Sequence, residues 1–121
     1  MKVCFITGSR ADYGLLSNLL KLFKFDRKVK LQIIATGSHL SSYHGLTYRE
    51  LINDKFKITK KINLNIEKRK IEDISEEISI GIKNFSKSFR ELKPDLVVLL
   101  GDRYEIFSAC CSAFIGQIPI C

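Results

Sequence analysis

The chain has 121 residues, 45% of them hydrophobic and 27% charged, with a formal net charge of +7 at pH 7. That length holds one domain rather than two, the balance is that of a globular chain, and no apolar run approaches the ~20 residues that span a bilayer. Cys4, Cys110, Cys111 and Cys121 contain no C-x-x-C pair, and adjacent Cys110 and Cys111 cannot form an unstrained disulfide, so membrane, zinc-module and disulfide-framework classes drop out and a reducing cytoplasm is expected.

Lys2 to Thr7 (KVCFIT) is short, apolar and β-rich, and reads as a strand buried on both faces. Gly8-Ser9-Arg10 breaks it. A helix is predicted from Ala11 or Asp12, with Leu15, Leu16, Leu19, Leu20, Leu22 and Phe23 filling one face and Asp12 favouring its amino terminus. Val29 to Thr36 is a second strand, ended by Gly37-Ser38-His39; Leu40 to His44 reads as a loop and Gly45 to Asp54 as a short helix. Ile58 to Ile66 alternates apolar and polar residues, the pattern of a more exposed strand near a sheet edge. Ile71 to Leu92 carries the clearest helical stripe, Ile74, Ile78, Ile82, Phe85, Phe89 and Leu92, with acidic residues at its start, basic residues near its end and Pro94 to stop it. Asp95 to Leu100 is a further apolar strand, broken by Gly101-Asp102-Arg103. A last helix runs through Ile106, Phe107, Cys110, Cys111, Phe114 and Ile115 to Gly116, and Ile118 to Cys121 begins a fifth strand. Cys4 and the Cys110-Cys111 pair read as small buried hydrophobes.

Strands alternating with helices predict an α/β, Rossmann-like parallel sheet with helices on both faces. The most apolar strands belong at the centre, giving the order 3-2-1-4-5. Seven basic residues lie between Lys55 and Lys70, interleaved with Ile and Asn and without an aromatic stacking set. They read as a solvated face, and no nucleic-acid partner is expected.

Three polar clusters follow the carboxyl ends of predicted strands: Gly8-Ser9-Arg10, Gly37-Ser38-His39 and Gly101-Asp102-Arg103. That edge of an open α/β sheet is where ligands bind. The first cluster is neither G-x-G-x-x-G nor a P-loop, but it sets backbone N–H groups and the planar fork of Arg10 at a helix start, which suits a phosphate. His39 is a candidate acid/base or hydrogen-bonding group. Asp102 emerges from a buried strand beside Arg103 and is a candidate acid/base. It is equally placed to cap the next helix, with Glu105 three residues on.

Taken together, Ile6-Thr7-Gly8-Ser9-Arg10-Ala11-Asp12-Tyr13-Gly14, then Thr36-Gly37-Ser38-His39-Leu40 with Gly45, Thr47 and Tyr48, then Leu99-Leu100-Gly101-Asp102-Arg103-Tyr104-Glu105 resemble the hydrolysing UDP-N-acetylglucosamine 2-epimerases, in order and along the whole chain. The resemblance implies the first domain of a glycosyltransferase-B-type fold, residues 1–121 being an incomplete amino-terminal domain without the second domain and inactive alone. It implies a UDP-sugar substrate, no cofactor or metal, and a homo-oligomer at full length. The implied reaction abstracts the C2 proton, expels UDP to leave a glycal and adds water with inversion at C2, in sialic or related nonulosonic acid synthesis. Carried over by position, Asp102 and His39 are the catalytic candidates, with Arg10, Arg103 and Ser9 on the UDP side; Glu105 matches the motif without an assigned role. A UDP-linked diacetamido-trideoxy sugar such as UDP-diacetylbacillosamine is the alternative substrate. A phosphate or nucleotide-sugar binding module without turnover is the alternative of another class.

Overall fold

The computed structural model describes residues 1–65 and 70–121. Four strands, β1 (Lys2–Thr7), β2 (Lys30–Thr36), β3 (Lys60–Ile62) and β4 (Leu96–Val98), form one parallel sheet in the order β3-β2-β1-β4. Four helices accompany them: α1 (Arg10–Phe25), α2 (Tyr48–Asn53), α3 (Ile71–Leu92) and α4 (Tyr104–Ile115). Ile118 to Cys121 takes the outer side of β4 as the predicted order requires, but its pairing amounts to a single parallel bridge, Val97 with Ile120, and three flanking backbone hydrogen bonds.

β1 is central and apolar on both sides because each side meets a different helix layer. Val3 and Phe5 pack with Tyr13, Leu16 and Leu20 of α1, Leu51 of α2, and Ile33. Cys4 and Ile6 pack with Phe85 and Phe89 of α3, Ile106 and Ala109 of α4, and Ile34. The Tyr13 hydroxyl donates to the Asp54 carboxylate and so ties α1 to the end of α2.

Several boundaries and faces differ from the sequence reading. β3 is three residues long, not nine; its ladder runs from Lys60 to Ile62, beyond which the Asn65 N–H is taken by Glu77 of α3. Ile66, Lys68 and Arg69 lie outside the described residues. A 3₁₀ turn, Gly37–Leu40, forms where a break and the start of a loop were expected, and α2 starts at Tyr48 rather than Gly45. In α1 the core takes Leu16, Leu20 and part of Phe23, whereas Leu15, Leu19 and Leu22 are exposed, Leu15 by 76%. A helix on a sheet buries one stripe, and the second row of leucines faces away from β1 and β2. The last helix is turned further. Its inner face is Glu105, Ile106, Ser108, Ala109, Ser112 and Ala113, and its bulky Phe107, Phe114 and Ile115 are exposed. Cys110 and Cys111 are therefore half-buried; only Cys4 is in the core.

The reason is the close approach of α3 and α4. A Cβ on Gly81 would stand 2.6 Å from the Ser108 hydroxyl oxygen and 2.8 Å from its Cβ. The Ser108 and Ser112 hydroxyls reach across to the carbonyls of Ile78 and Ile82, at 3.2 and 2.8 Å. Bulky residues cannot occupy such a contact, so the small face turns inward. α3 itself follows its predicted span and ends on Lys93 in the left-handed conformation, just before Pro94.

Candidate active site

The three polar turns expected at the carboxyl edge do come together. The Gly8 carbonyl accepts from the His39 backbone N–H at 3.2 Å and from the Ser38 hydroxyl at 2.9 Å, which joins the turns after β1 and β2. Gly101, at φ +105°, lets the turn after β4 run alongside Asp12; a Cβ at Gly101 would stand 3.6 Å from Asp12 Oδ1.

Ser9 is the N-cap of α1, its hydroxyl accepting from the Asp12 N–H at 3.2 Å, and it is nearly buried. Its hydroxyl oxygen is thus engaged as an acceptor at the helix end. Arg10 begins α1 on the surface, with its Nε 3.0 Å from Glu50 Oε1 of α2. Asp12 Oδ2 is buried without a hydrogen-bonding partner.

His39 is held between two threonine hydroxyls. It is fully buried, with Nε2 2.8 Å from the Thr7 hydroxyl and Nδ1 2.8 Å from the Thr47 hydroxyl. Burial lowers its pKa to about 4, against the opposing pull of the Asp12 carboxylate and the hydrogen bond with Thr47, so the ring is neutral at pH 7. A neutral imidazole donates through one nitrogen and accepts through the other, which suits two hydroxyls. His39 pins the end of β2 to the end of β1 and to the approach to α2.

Asp102 and Arg103 occupy the exposed turn before α4. Asp102 borders a cavity of about 490 Å³ lined also by Leu99, Ile106, Phe107, Cys110 and Ile120. The capping arrangement with Asp102 does not form. Arg103 holds the N-cap position, without a side-chain cap, and Glu105 turns inward instead of back to the chain.

Glu105 is the residue to which the sequence reading gave no role. It is fully buried, its Oε1 accepts from Arg103 Nε at 2.8 Å, and its Oε2 has no partner. It lies against both glycine turns: an added Cβ would stand 2.8 Å from Oε1 at Gly8 and 2.3 Å at Gly37, which also has φ +59°. In the sequence, a glutamate in the first turn of a helix looks like an ordinary dipole-favoured surface residue, so nothing local marks it. Among the described residues, no three His, Cys, Asp or Glu side chains form a metal-holding group, and no helix is long and apolar enough to cross a membrane.

Fold and site define an α/β domain whose sheet edge gathers two arginines and three carboxylates, Asp12, Asp102 and Glu105, around glycine turns. The family described as UDP-N-acetylglucosamine 2-epimerase matches residues 21–121. The chain is 43% identical over 119 residues to the GDP/UDP-N,N'-diacetylbacillosamine 2-epimerase (hydrolyzing) of Campylobacter jejuni, covering 98% of this chain and 31% of that protein. It is 34% identical to the UDP-N,N'-diacetylbacillosamine 2-epimerase (hydrolyzing) of Legionella pneumophila, covering 98% and 32%. The crystal structure of UDP-GlcNAc 2-epimerase from Neisseria meningitidis bound to UDP-GlcNAc superimposes with a TM-score of 0.80 at 20% identity, over 99% of this chain and 31% of that one. At that identity the likeness speaks to the fold, which is that of a glycosyltransferase-B-like first domain. The chain belongs to the UDP-N-acetylglucosamine 2-epimerase family. It spans about a third of the length of the curated relatives it matches.

Proposed function

We propose that residues 1–121 form the amino-terminal part of a hydrolysing UDP-sugar 2-epimerase whose substrate is a UDP-linked diacetamido-trideoxy sugar of the diacetylbacillosamine type. The observation that carries this reading is the 43% identity, across 98% of the chain, to a relative that bears that activity in its name. It replaces UDP-N-acetylglucosamine, the substrate the motifs alone favoured, as the first choice. The family description and the UDP-GlcNAc held by the Neisseria enzyme keep that sugar as the second reading.

The edge supplies the chemistry in outline. The reaction removes the C2 proton, expels UDP and adds water to the resulting glycal with inversion at C2. A departing diphosphate needs positive charge, and Arg10 and Arg103 bring it, beside the amino terminus of α1. Asp102 is an exposed carboxylate that borders that cavity and takes the acid/base role. Ser9 serves the UDP side by capping α1, which fixes that helix end. His39 serves by holding the turns in place, not by exchanging a proton with the sugar.

The test joins residues 1–121 to the remaining two thirds of the Campylobacter relative and follows UDP release. UDP-diacetylbacillosamine and UDP-N-acetylglucosamine are supplied in parallel. Release from the diacetamido sugar at least tenfold faster is expected. Equal or faster release from UDP-N-acetylglucosamine would favour the second reading, and no release from either would remove the activity from this chain.

A further inference from the structure

We propose that Glu105 is a positioning residue that sets the direction of the Arg103 guanidinium, so that Arg103 meets the diphosphate already oriented. This rests on the UDP-sugar reading above.

A carboxylate with no exposed surface is costly unless it is paired, and Glu105 has one charged partner and one oxygen left bare. Two glycines, Gly8 and Gly37, leave the room that it fills, and they stand in the two turns that lead to Arg10 and His39. A leucine or methionine would fill the same space at lower cost. What the carboxylate adds is the charge-assisted bond from Arg103 Nε, at 2.8 Å. That bond fixes the plane of the guanidinium through its inner nitrogen. Arg103 is 43% exposed, and among the described residues its two Nη groups carry no partner. They are the face that grips a phosphate in a forked geometry.

Arg10 shows the contrast. It is held from outside by Glu50, through an exposed pair, and must change partners to meet an anion. Arg103 is held from inside and needs no change. Orientation fixed before binding saves the entropy of ordering a long side chain.

The experiment titrates UDP into ¹⁵N-labelled protein and watches the Arg103 Nε–Hε signal. In the unsubstituted protein this signal is expected downfield and slow to exchange with water, and Glu105→Gln should move it upfield and speed its exchange. The same substitution should weaken UDP about fivefold or more in the Arg103 background and by less than about twofold in an Arg103→Ala background. An equal loss in both backgrounds, or none in the first, would overturn the proposal, since a merely structural glutamate acts whether or not Arg103 is present. An Arg103 Hε signal that exchanges like a free arginine would overturn it without any variant, which covers the case in which Glu105→Gln does not fold. If the unsubstituted protein does not bind UDP, the UDP-sugar reading fails, and the Hε signal still decides where Glu105 holds Arg103.

Discussion

Arg10 enters the site already paired with Glu50, and that pair sets what substitution there should do. An exposed ion pair contributes at most about 1 kcal/mol, so an anion can displace it. Glu50→Gln is expected to strengthen UDP binding by about two- to fivefold, because it removes the competing carboxylate. Arg10→Lys should weaken binding about tenfold while leaving the melting temperature unchanged, since a lysine ammonium lacks the planar fork that pairs with a phosphate in fixed bidentate geometry. Calorimetric or NMR titration of both variants checks this, and an unaltered affinity in Arg10→Lys removes Arg10 from the diphosphate.

His39 yields a pH prediction whose sign follows from its pKa of about 4, below the ordinary 6.5. Between these values the unfolded chain binds a proton that the folded chain refuses, so stability rises with pH across that window. Above pH 6.5 His39 adds no slope, and as pH falls toward 4 it removes roughly 2 to 3 kcal/mol. Urea midpoints at pH 7 and pH 4.5 should differ more in the unsubstituted protein than in His39→Gln. Equal differences would show that the ring is not buried neutral. The buried ring, its Thr7 partner and the inward Glu105 were illegible locally, because each depends on residues more than 30 positions away.

At the scale of elements, two helical glycines should respond in opposite ways to the same change. Gly14 in α1 has no atom within 4 Å of an added Cβ. Gly14→Ala should therefore stabilise the chain by roughly 0.5 to 1 kcal/mol through helix propensity. Gly81 in α3 presses on Ser108, whose Cβ cannot swing away. Gly81→Ala should lose about 1 to 2 kcal/mol, overpacking outweighing the propensity gain. Denaturant melts of the two variants measure the difference, and two changes of the same sign would contradict the packing of α3 on α4. Both glycines lie within helices, and only the contact tells them apart.

At the scale of the molecule, two helices carry large apolar side chains on their outer faces. Leu15, Leu22 and Phe25 on α1, and Phe107, Phe114 and Ile115 on α4, are all more than half exposed, Phe114 by 79%. Patches of this kind promote association. Residues 1–121 alone are expected to self-associate in sedimentation velocity, and Leu15→Glu with Leu22→Glu should lower the association at equal concentration. A monomer of the unsubstituted chain at about 100 μM would contradict this. The same chain alone should release UDP from either sugar nucleotide no faster than buffer does. On the proposed reading Asp102 and the two arginines act on one side of the sugar nucleotide, and elimination also needs the substrate enclosed and positioned from the other.

Strand and helix alternation, the central place of Lys2–Thr7, the span of Ile71–Leu92 and the three polar turns on one sheet edge were determined by sequence alone, because hydrophobic period and glycine breaks are local properties. The motifs carried the family for the same reason: they are short, ordered and read without contacts. Tertiary structure decided which side of each helix is inside. Leucines on α1 and phenylalanines on α4 face outward because the sheet takes one stripe of α1, and because the approach at Gly81 admits only the small face of α4. It also decided the surroundings of the ionisable side chains. His39 is buried between two threonine hydroxyls and Glu105 is buried beside Arg103, surroundings that residue type and spacing alone do not give.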